Sequence, residues 1–415
     1  LTSGHRIVAI MRPCQGRDGS SILPDRIIKK SMAKVKEKIC QDCGTPSIHH
    51  VKTWLDGLTQ MFLPPLSLPK NLDSFFYVLL EKFLTFFKLV SLKEDFAKTD
   101  IQSRTRCFME EAEKRGVKFK ALQGPFGYTG YFSAEINGKV IRFEGLPIAE
   151  FANKQSLQLI DDKEKTKRRL QKGDFPVAEG KSFWFWQKNK AIKFGINRLG
   201  FPLIVKPRSG SISQHVTTNI QDIEKLKYAI ARAIIYSPVF MVEKFISDGF
   251  VCRATVIDFD FIACVKQIPA NVIGDEISTI RELIDEKNKK SAFYKIVENK
   301  TTKNLLAKKG YGLSAIPKKN ELVYLQKDPF LKLGGDLVEI TPEVHPENLR
   351  LFRDIAKFFD IRVVGLDFLC QDIAIPWKNQ ECAVLELNSL PCIELHHFPS
   401  SGIPQNAAGA LVDLF

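Results

Sequence analysis

The stretch Val363-Val364-Gly365-Leu366-Asp367-Phe368-Leu369 is an apolar run broken by one carboxylate, and Ala383-Val384-Leu385-Glu386-Leu387-Asn388 is a second. Both read as strands: they are short, rich in Val and Leu, and carry no helical period. Residues two apart on a strand share a face, so Glu386 and Asn388 point the same way. If the two strands are neighbours joined through 372–381, Asp367 can face that pair. Two carboxylates and an amide oxygen are hard donors, the set that Mg²⁺ takes when phosphates complete its octahedron, with Mn²⁺ as the substitute. The competing reading is a pair of solvated strand ends. Carboxylates buried in such apolar runs without a cation would be costly.

Two segments further upstream carry cations. In Phe201-Pro202-Leu203-Ile204-Val205-Lys206-Pro207-Arg208-Ser209-Gly210-Ser211 a strand delivers Lys206 and then enters a loop of small residues. Such a loop lets backbone N–H groups approach phosphate oxygens, although a plain turn reads the same way. It matches neither the G-x-x-x-x-G-K-[ST] nor the G-x-G-x-x-G pattern. In Phe240-Met241-Val242-Glu243-Lys244-Phe245-Ile246 an apolar strand ends on Glu243. A strand pair follows over 253–257 and 261–266, turning at 258–260. Arg253 and Lys266 emerge from it, suited either to phosphate oxygens or to ordinary ion pairs.

The chain has 415 residues, 44% of them hydrophobic and 26% charged, which excludes disordered, collagenous and coiled-coil classes. A net charge of +14 suits anionic partners and equally suits ordinary solubility. Most of the nine cysteines lie in apolar runs, as reduced, buried thiols do, so a cytoplasmic protein is expected. The longest apolar run, 75–90, is interrupted by Glu81 and Lys82, too early for a membrane span. Neither a nucleic-acid nor a membrane partner is expected.

Three regions separate by texture. Residues 1–100 form a basic region of unassigned role, with a Pro-rich linker at 63–69 and a mostly buried helix expected over 72–92. A membrane-surface or partner-docking helix is the other reading of that segment. Residues 101–157 read as a small α/β segment: a helix at 105–115, a strand at 116–122, and a hairpin turning at Asn137-Gly138. From 158 to 415 helices and strands alternate. The lysines across 287–309 read as a solvated helix face or as an anion-binding one.

Taken in order, the motifs of 158–415 resemble an ATP-grasp ligase domain of the cyanophycin-synthetase-like and glutathione-synthetase-like kind. Asp162-Lys163-Glu164-Lys165-Thr166-Lys167 is similar to its opening helix, and Ile204-Val205-Lys206-Pro207 to its phosphate strand. Val242-Glu243-Lys244-Phe245-Ile246 is similar to its nucleotide hinge, and Glu386-Leu387-Asn388-Ser389-Leu390-Pro391 to its metal segment. Gln267-Ile268-Pro269-Ala270 and Thr279-Ile280-Arg281-Glu282-Leu283-Ile284 follow the pattern between them. Three departures stand out: a phosphate loop with the single glycine Gly210, Val251 where an acidic residue is usual, and Lys266 near the place of an arginine.

The resemblance implies an α/β protein, an ATP-grasp fold of two α+β subdomains behind a smaller N-terminal region. It implies an ATP- and Mg²⁺-dependent carboxylate–amine ligase acting through an acyl phosphate, as a possible homo-oligomer. Lys163 and Lys206 would hold phosphates, with Ser209, Gly210, Ser211 and Lys266 beside them. Glu243 and Lys244 would edge the adenine, Arg253 would steady the transferred phosphoryl group, and Asp367, Glu386 and Asn388 would hold the metal. Glu394, His396 and His397 could touch the acceptor or serve structure. No G-x-x-x-x-G-K-[ST] loop occurs, so a second ligase domain is not expected. An ATP-binding regulator without turnover is the alternative.

Two features stay outside this scheme. Cys40-Gln41-Asp42-Cys43 with His49 and His50 has half the spacing of a zinc knuckle. Phe183-Trp184-Phe185-Trp186 can stack on a ligand or pack into the core.

Overall fold

The computed structural model describes residues 40, 47–62, 79, 83–87, 89–98, 101–124, 127–151, 153–208, 215–247, 249–291, 295–326 and 331–415. Along the chain run α1 (Ser47–Phe62), β1 (Ser91–Lys93), α2 (Ser103–Glu113), β2 (Phe119–Gly124), β3 (Gly127–Ile136) and β4 (Lys139–Glu144). Next come α3 (Lys154–Ile160), α4 (Lys163–Lys172), β5 (Gly180–Trp184), α5 (Lys188–Phe194), β6 (Leu203–Pro207), β7 (Thr217–Ile220) and α6 (Ile223–Tyr236). They are followed by β8 (Val239–Lys244), β9 (Phe250–Ile257), β10 (Phe261–Ile268), β11 (Asn271–Ile273), α7 (Ile280–Lys290), α8 (Lys300–Lys308) and β12 (Leu322–Tyr324). The last are β13 (Asp336–Glu339), α9 (Pro346–Phe358), β14 (Val363–Cys370), β15 (Cys382–Asn388), α10 (Glu394–His397) and α11 (Ala407–Val412).

The first sheet has the order β1-β2-β3-β4. The expected Asn137-Gly138 hairpin joins β3 to β4, with both turn residues at positive φ as a type I′ turn requires. The expected helix over 72–92 falls largely outside the described residues. Residues 83–86 are helical, but Ser91–Lys93 pairs with β2 as an edge strand, so this sheet reaches back into the first region. Its core, built on Phe108, Phe119, Phe132 and Phe143, also takes in Leu411 and Val412 of α11.

Two larger sheets frame the rest. One has the order β5-β8-β6-β7, with α5 and α6 packed on it through Ala191, Leu226, Ala229 and Ile230. The other has the order β13-β10-β9-β14-β15, every pair antiparallel. Helix α9 lies on one face of it. Leu351, Phe352, Ile355 and Ala356 form its apolar stripe and meet Cys252, Ala254, Leu366 and Phe368. His345 caps α9 by accepting the amide of Glu347. A small unit of β11, β12, α7 and α8 has its own core around Ile280, Ile284 and Val323. Its Lys287, expected on a solvated or anion-binding face, instead ties α7 to β11 and β13, bonding the Asn271 carbonyl at 2.9 Å and Asp336 at 2.7 Å.

Among the described residues no helix is long and apolar enough to cross a membrane.

Candidate functional site

With α9 covering one face of the five-stranded sheet, the alternate residues of its strands occupy the other. Register runs Glu339–Val265–Arg253–Asp367–Glu386 straight across β13, β10, β9, β14 and β15. The next row sets Thr255 against Gly365 and Gly365 against Asn388. The three expected metal donors therefore share one face of two adjacent strands. The pairing of β14 with β15 skips Leu385 between Asp367 and Phe368, a β-bulge that re-aims β15 beside the carboxylate pair.

Arg253 engages Asp367 through two of its nitrogens, Nε donating to Oδ1 and Nη2 to Oδ2 at 2.9 Å. Burial pushes the Asp367 carboxyl above the ordinary carboxylate range, Arg253 pulls it down, and the Glu386 charge adds to the rise. Lys163 Nζ donates to Glu386 Oε1 at 3.3 Å. Lys163 is the first residue of α4, whose cap Asp162 accepts the amides of Glu164 and Lys165. Arg208, just past β6, grips Asp162 at 2.7 Å and Glu164 at 2.8 Å, which fixes the end of β6 against the start of α4.

The second sheet contributes Glu243, only 3% exposed. One of its oxygens takes Lys206 at 2.7 Å and the other takes Lys167 at 2.5 Å. Burial opposes ionisation of Glu243, and the two ammonium groups overcome it, holding the carboxyl below its usual range. Burial likewise depresses Lys167, against the pull of Glu243. Two cations on one carboxylate leave an excess positive charge at this point. Gly180 makes the arrangement possible, because it lies opposite Glu243 in register and a Cβ there would sit 2.5 Å from Glu243 Cγ.

Between the sheets lies an open cleft. Lys163, Lys206, Glu243 and Glu386 line it, with Lys167 and apolar Ile160, Met241, Leu385 and Leu387. Such a mixture of apolar wall and convergent cations suits a ligand with a flat apolar part and an anionic tail.

Two expected residues stand elsewhere. Lys244 donates its ammonium to the carbonyls of Leu199, Gly200 and Phe201, and its amide to Glu179, so it clamps the turn after α5. Lys266 pairs with Cys252 in register, one residue out of phase with Arg253, and its ammonium rests over the Phe250 ring at 4.0 Å. Ser209, Gly210 and Ser211 lie outside the described residues. His396 is fully buried between Thr255 Oγ1 at 2.8 Å and Glu339 Oε2 at 3.3 Å, and His397 accepts the amide of Ala408. Both rings are thus held by contacts within the fold. Of the aromatic cluster, Phe183 enters the core, while Trp184 and Trp186 stack with ring centres 4.5 Å apart. Lys167 was not among the expected site residues. Its signal is the four-residue spacing from Lys163, which sets both on one face of α4.

No protein-family model matches the chain. It is 31% identical over 336 residues to the cyanophycin synthetase of Trichormus variabilis, covering 78% of the chain and 36% of that protein. It is 25% identical over 328 residues to the glutathione biosynthesis bifunctional protein of Clostridium perfringens, covering 76% of the chain and 41% of that protein. The crystal structure of a bifunctional glutathione synthetase from Pasteurella multocida superposes with a TM-score of 0.61 at 22% identity, covering 76% of this chain and 43% of that one. The chain thus spans about two fifths of the length of the relatives it matches. The likeness takes in more than residues 158–415 alone, because that region is shorter than the matched 78%. Over about three quarters of its length the chain is thus similar to cyanophycin synthetase and to the glutathione biosynthesis proteins, and its fold is the ATP-grasp fold.

Proposed function

We propose that the chain is an ATP-dependent ligase that joins a small-molecule or peptide carboxylate to an amine. The observation that carries this reading is the convergence of Lys163, Lys167, Lys206 and Glu386 on one cleft, with Asp367 paired to Glu386 in register.

Each of these lysines, and Arg253 with them, is held on a carboxylate: Lys163 on Glu386, Arg253 on Asp367, Lys206 and Lys167 on Glu243. Four cations thus meet three carboxylates, and phosphate oxygens would offer the same cationic groups a second partner in the cleft. Lys163 and Lys206 would hold α- and β-phosphate oxygens. Arg253 would steady the transferred phosphoryl group, and the apolar wall would take the base.

Asp367, Glu386 and the Asn388 amide oxygen would hold Mg²⁺, or Mn²⁺ in its place. Their chemistry fits, being hard oxygen donors with two like charges to neutralise. Such an ion, when bound, supplies neutralisation of the charge that develops on the γ-phosphoryl oxygens.

In the reaction a substrate carboxylate oxygen attacks the γ-phosphorus, the bond to the β–γ bridging oxygen breaks, and ADP leaves with that electron pair. The amine nitrogen then attacks the acyl carbon. Phosphate departs with the former carboxylate oxygen, and the amine proton passes to solvent. Lys163, Lys206 and Arg253 act by orientation and by preorganised charge.

The test is phosphate release from ATP across pools of amino acids and dipeptides, with hydroxylamine present to trap an acyl phosphate as its hydroxamate. Hydroxamate formation that requires one carboxylate pool supports the ligase. Nucleotide binding without turnover on any pool supports the regulator.

A further inference from the structure

Away from the cleft, three donors widely separated in sequence come together. The Sγ of Cys40 and a ring nitrogen each from His50 and His215 all lie within 4.8 Å of one another. Cys40 is half-buried, while His50 and His215 are 6% and 1% exposed. Cys40 precedes α1, His50 lies in its first turn, and His215 stands just before β7.

We propose that Cys40, His50 and His215 form a zinc site that fastens α1 to the sheet carrying Lys206. Zinc bonds of about 2.3 Å to sulfur and 2.05 Å to nitrogen, at a tetrahedral angle, separate the two donors by about 3.6 Å. Cys40 Sγ and His215 Nε2 are 3.7 Å apart.

The tautomer is also set for it. His215 Nδ1 lies 2.9 Å from the Arg232 carbonyl, which can only accept, so Nδ1 carries the proton. In the neutral ring Nε2, facing the thiol, is then the nitrogen with the lone pair. A backbone carbonyl fixing the distal nitrogen in this way is the usual support of a metal-bound histidine. His215 holds a φ of +56°, a region that non-glycine residues seldom adopt. Arg232 adds bonds to the Val216 carbonyl and to Thr217.

One thiolate and two imidazoles form a soft-to-borderline donor set, which selects zinc over Mg²⁺ and separates this site from the oxygen donors of the cleft. The fourth coordination position falls to a donor beyond these three. The clasp has a definite place in the fold. Trp54 of α1 donates to the Ile234 carbonyl of α6 at 3.1 Å, and His215 bounds on its far side the segment that begins after Arg208.

The test loads the full chain, stripped with a chelator, with zinc sulfate and separately with cobalt chloride, in excess Mg²⁺. The expected result is one zinc per chain and, with cobalt, a thiolate-to-metal charge-transfer band with the intense visible bands of tetrahedral coordination. Cys40→Ser removes the charge-transfer band. His50→Gln and His215→Gln each weaken zinc binding by at least about a hundredfold. Cys382→Ser and Glu386→Gln leave it unchanged, which separates this site from the cleft whatever the ligase assay returns. Absence of the band in the cobalt-loaded wild type overturns the proposal, even if the variants fail to fold. So does a band that persists in Cys40→Ser, or zinc affinity unmoved by all three substitutions.

Discussion

Asp367 and Glu386 stand directly opposite one another on adjacent antiparallel strands, two carboxylates forming a single cross-strand pair. Like charges so placed repel unless cations offset them. Arg253 and Lys163 fill that role in the chain alone, one on each carboxylate.

A divalent ion with ADP should therefore stabilise the fold, by about 2.7 kcal/mol at a hundredfold excess over the dissociation constant. Glu386→Gln should abolish both turnover and this Mg²⁺-dependent rise in melting temperature while leaving the circular dichroism unchanged. Near-normal activity in that variant would remove the metal assignment.

Glu243 is the keystone of the opposite wall. Glu243→Ala leaves Lys167 and Lys206 without their shared carboxylate in a mostly buried site, and breaking such an arrangement costs about 3–5 kcal/mol. Urea unfolding measures this. A loss below about 1 kcal/mol would mean that water reaches the two ammonium groups easily.

Gly180→Ala tests the same wall without touching a charge. The new methyl would meet Glu243 Cγ at 2.5 Å and the Val242 carbonyl at 2.6 Å, so β5 or β8 must shift. Nucleotide affinity should fall along with stability. Affinity retained at reduced stability would show that the position of Glu243 does not govern binding.

Much of this was legible from residues. Alternation within 383–388 was enough to set Glu386 and Asn388 on one face, Asp367 could join them only if the two strands were neighbours, as the pairing of β14 with β15 makes them, and the end of an apolar strand located Lys206. The partners of Glu243 were not, because Lys167 lies 76 residues away and only the approach of α4 to β8 joins them. Lys266 shows how sensitive such readings are to phase, since one residue of register puts it on the face opposite Arg253. The Leu385 bulge and the edge strand Ser91–Lys93 have no local signal, as both arise from the partner strand. Likewise His50 was visible beside Cys40, while His215 is brought to them only by the packing of α1 on α6.

Burial holds both His396 and His397 below the ordinary histidine value. The folded chain then binds fewer protons than the unfolded one just below pH 6.5. The stability linked to these groups is present above about pH 6.5 and is lost as pH falls through their depressed values. Melting temperatures between pH 5 and 7.5 should decline toward acid, and His396→Gln should flatten the decline. An unchanged slope in that variant would show that His396 is not protonated on unfolding in this range.

The most direct test is a crystal structure with a non-hydrolysable ATP analogue and Mg²⁺. The account predicts an ion bound by oxygens of Asp367, Glu386 and Asn388, with Lys163 and Lys206 moved from their carboxylates onto phosphate oxygens. A nucleotide bound outside this cleft, or an ion held by other residues while Lys163 stays on Glu386, would contradict it.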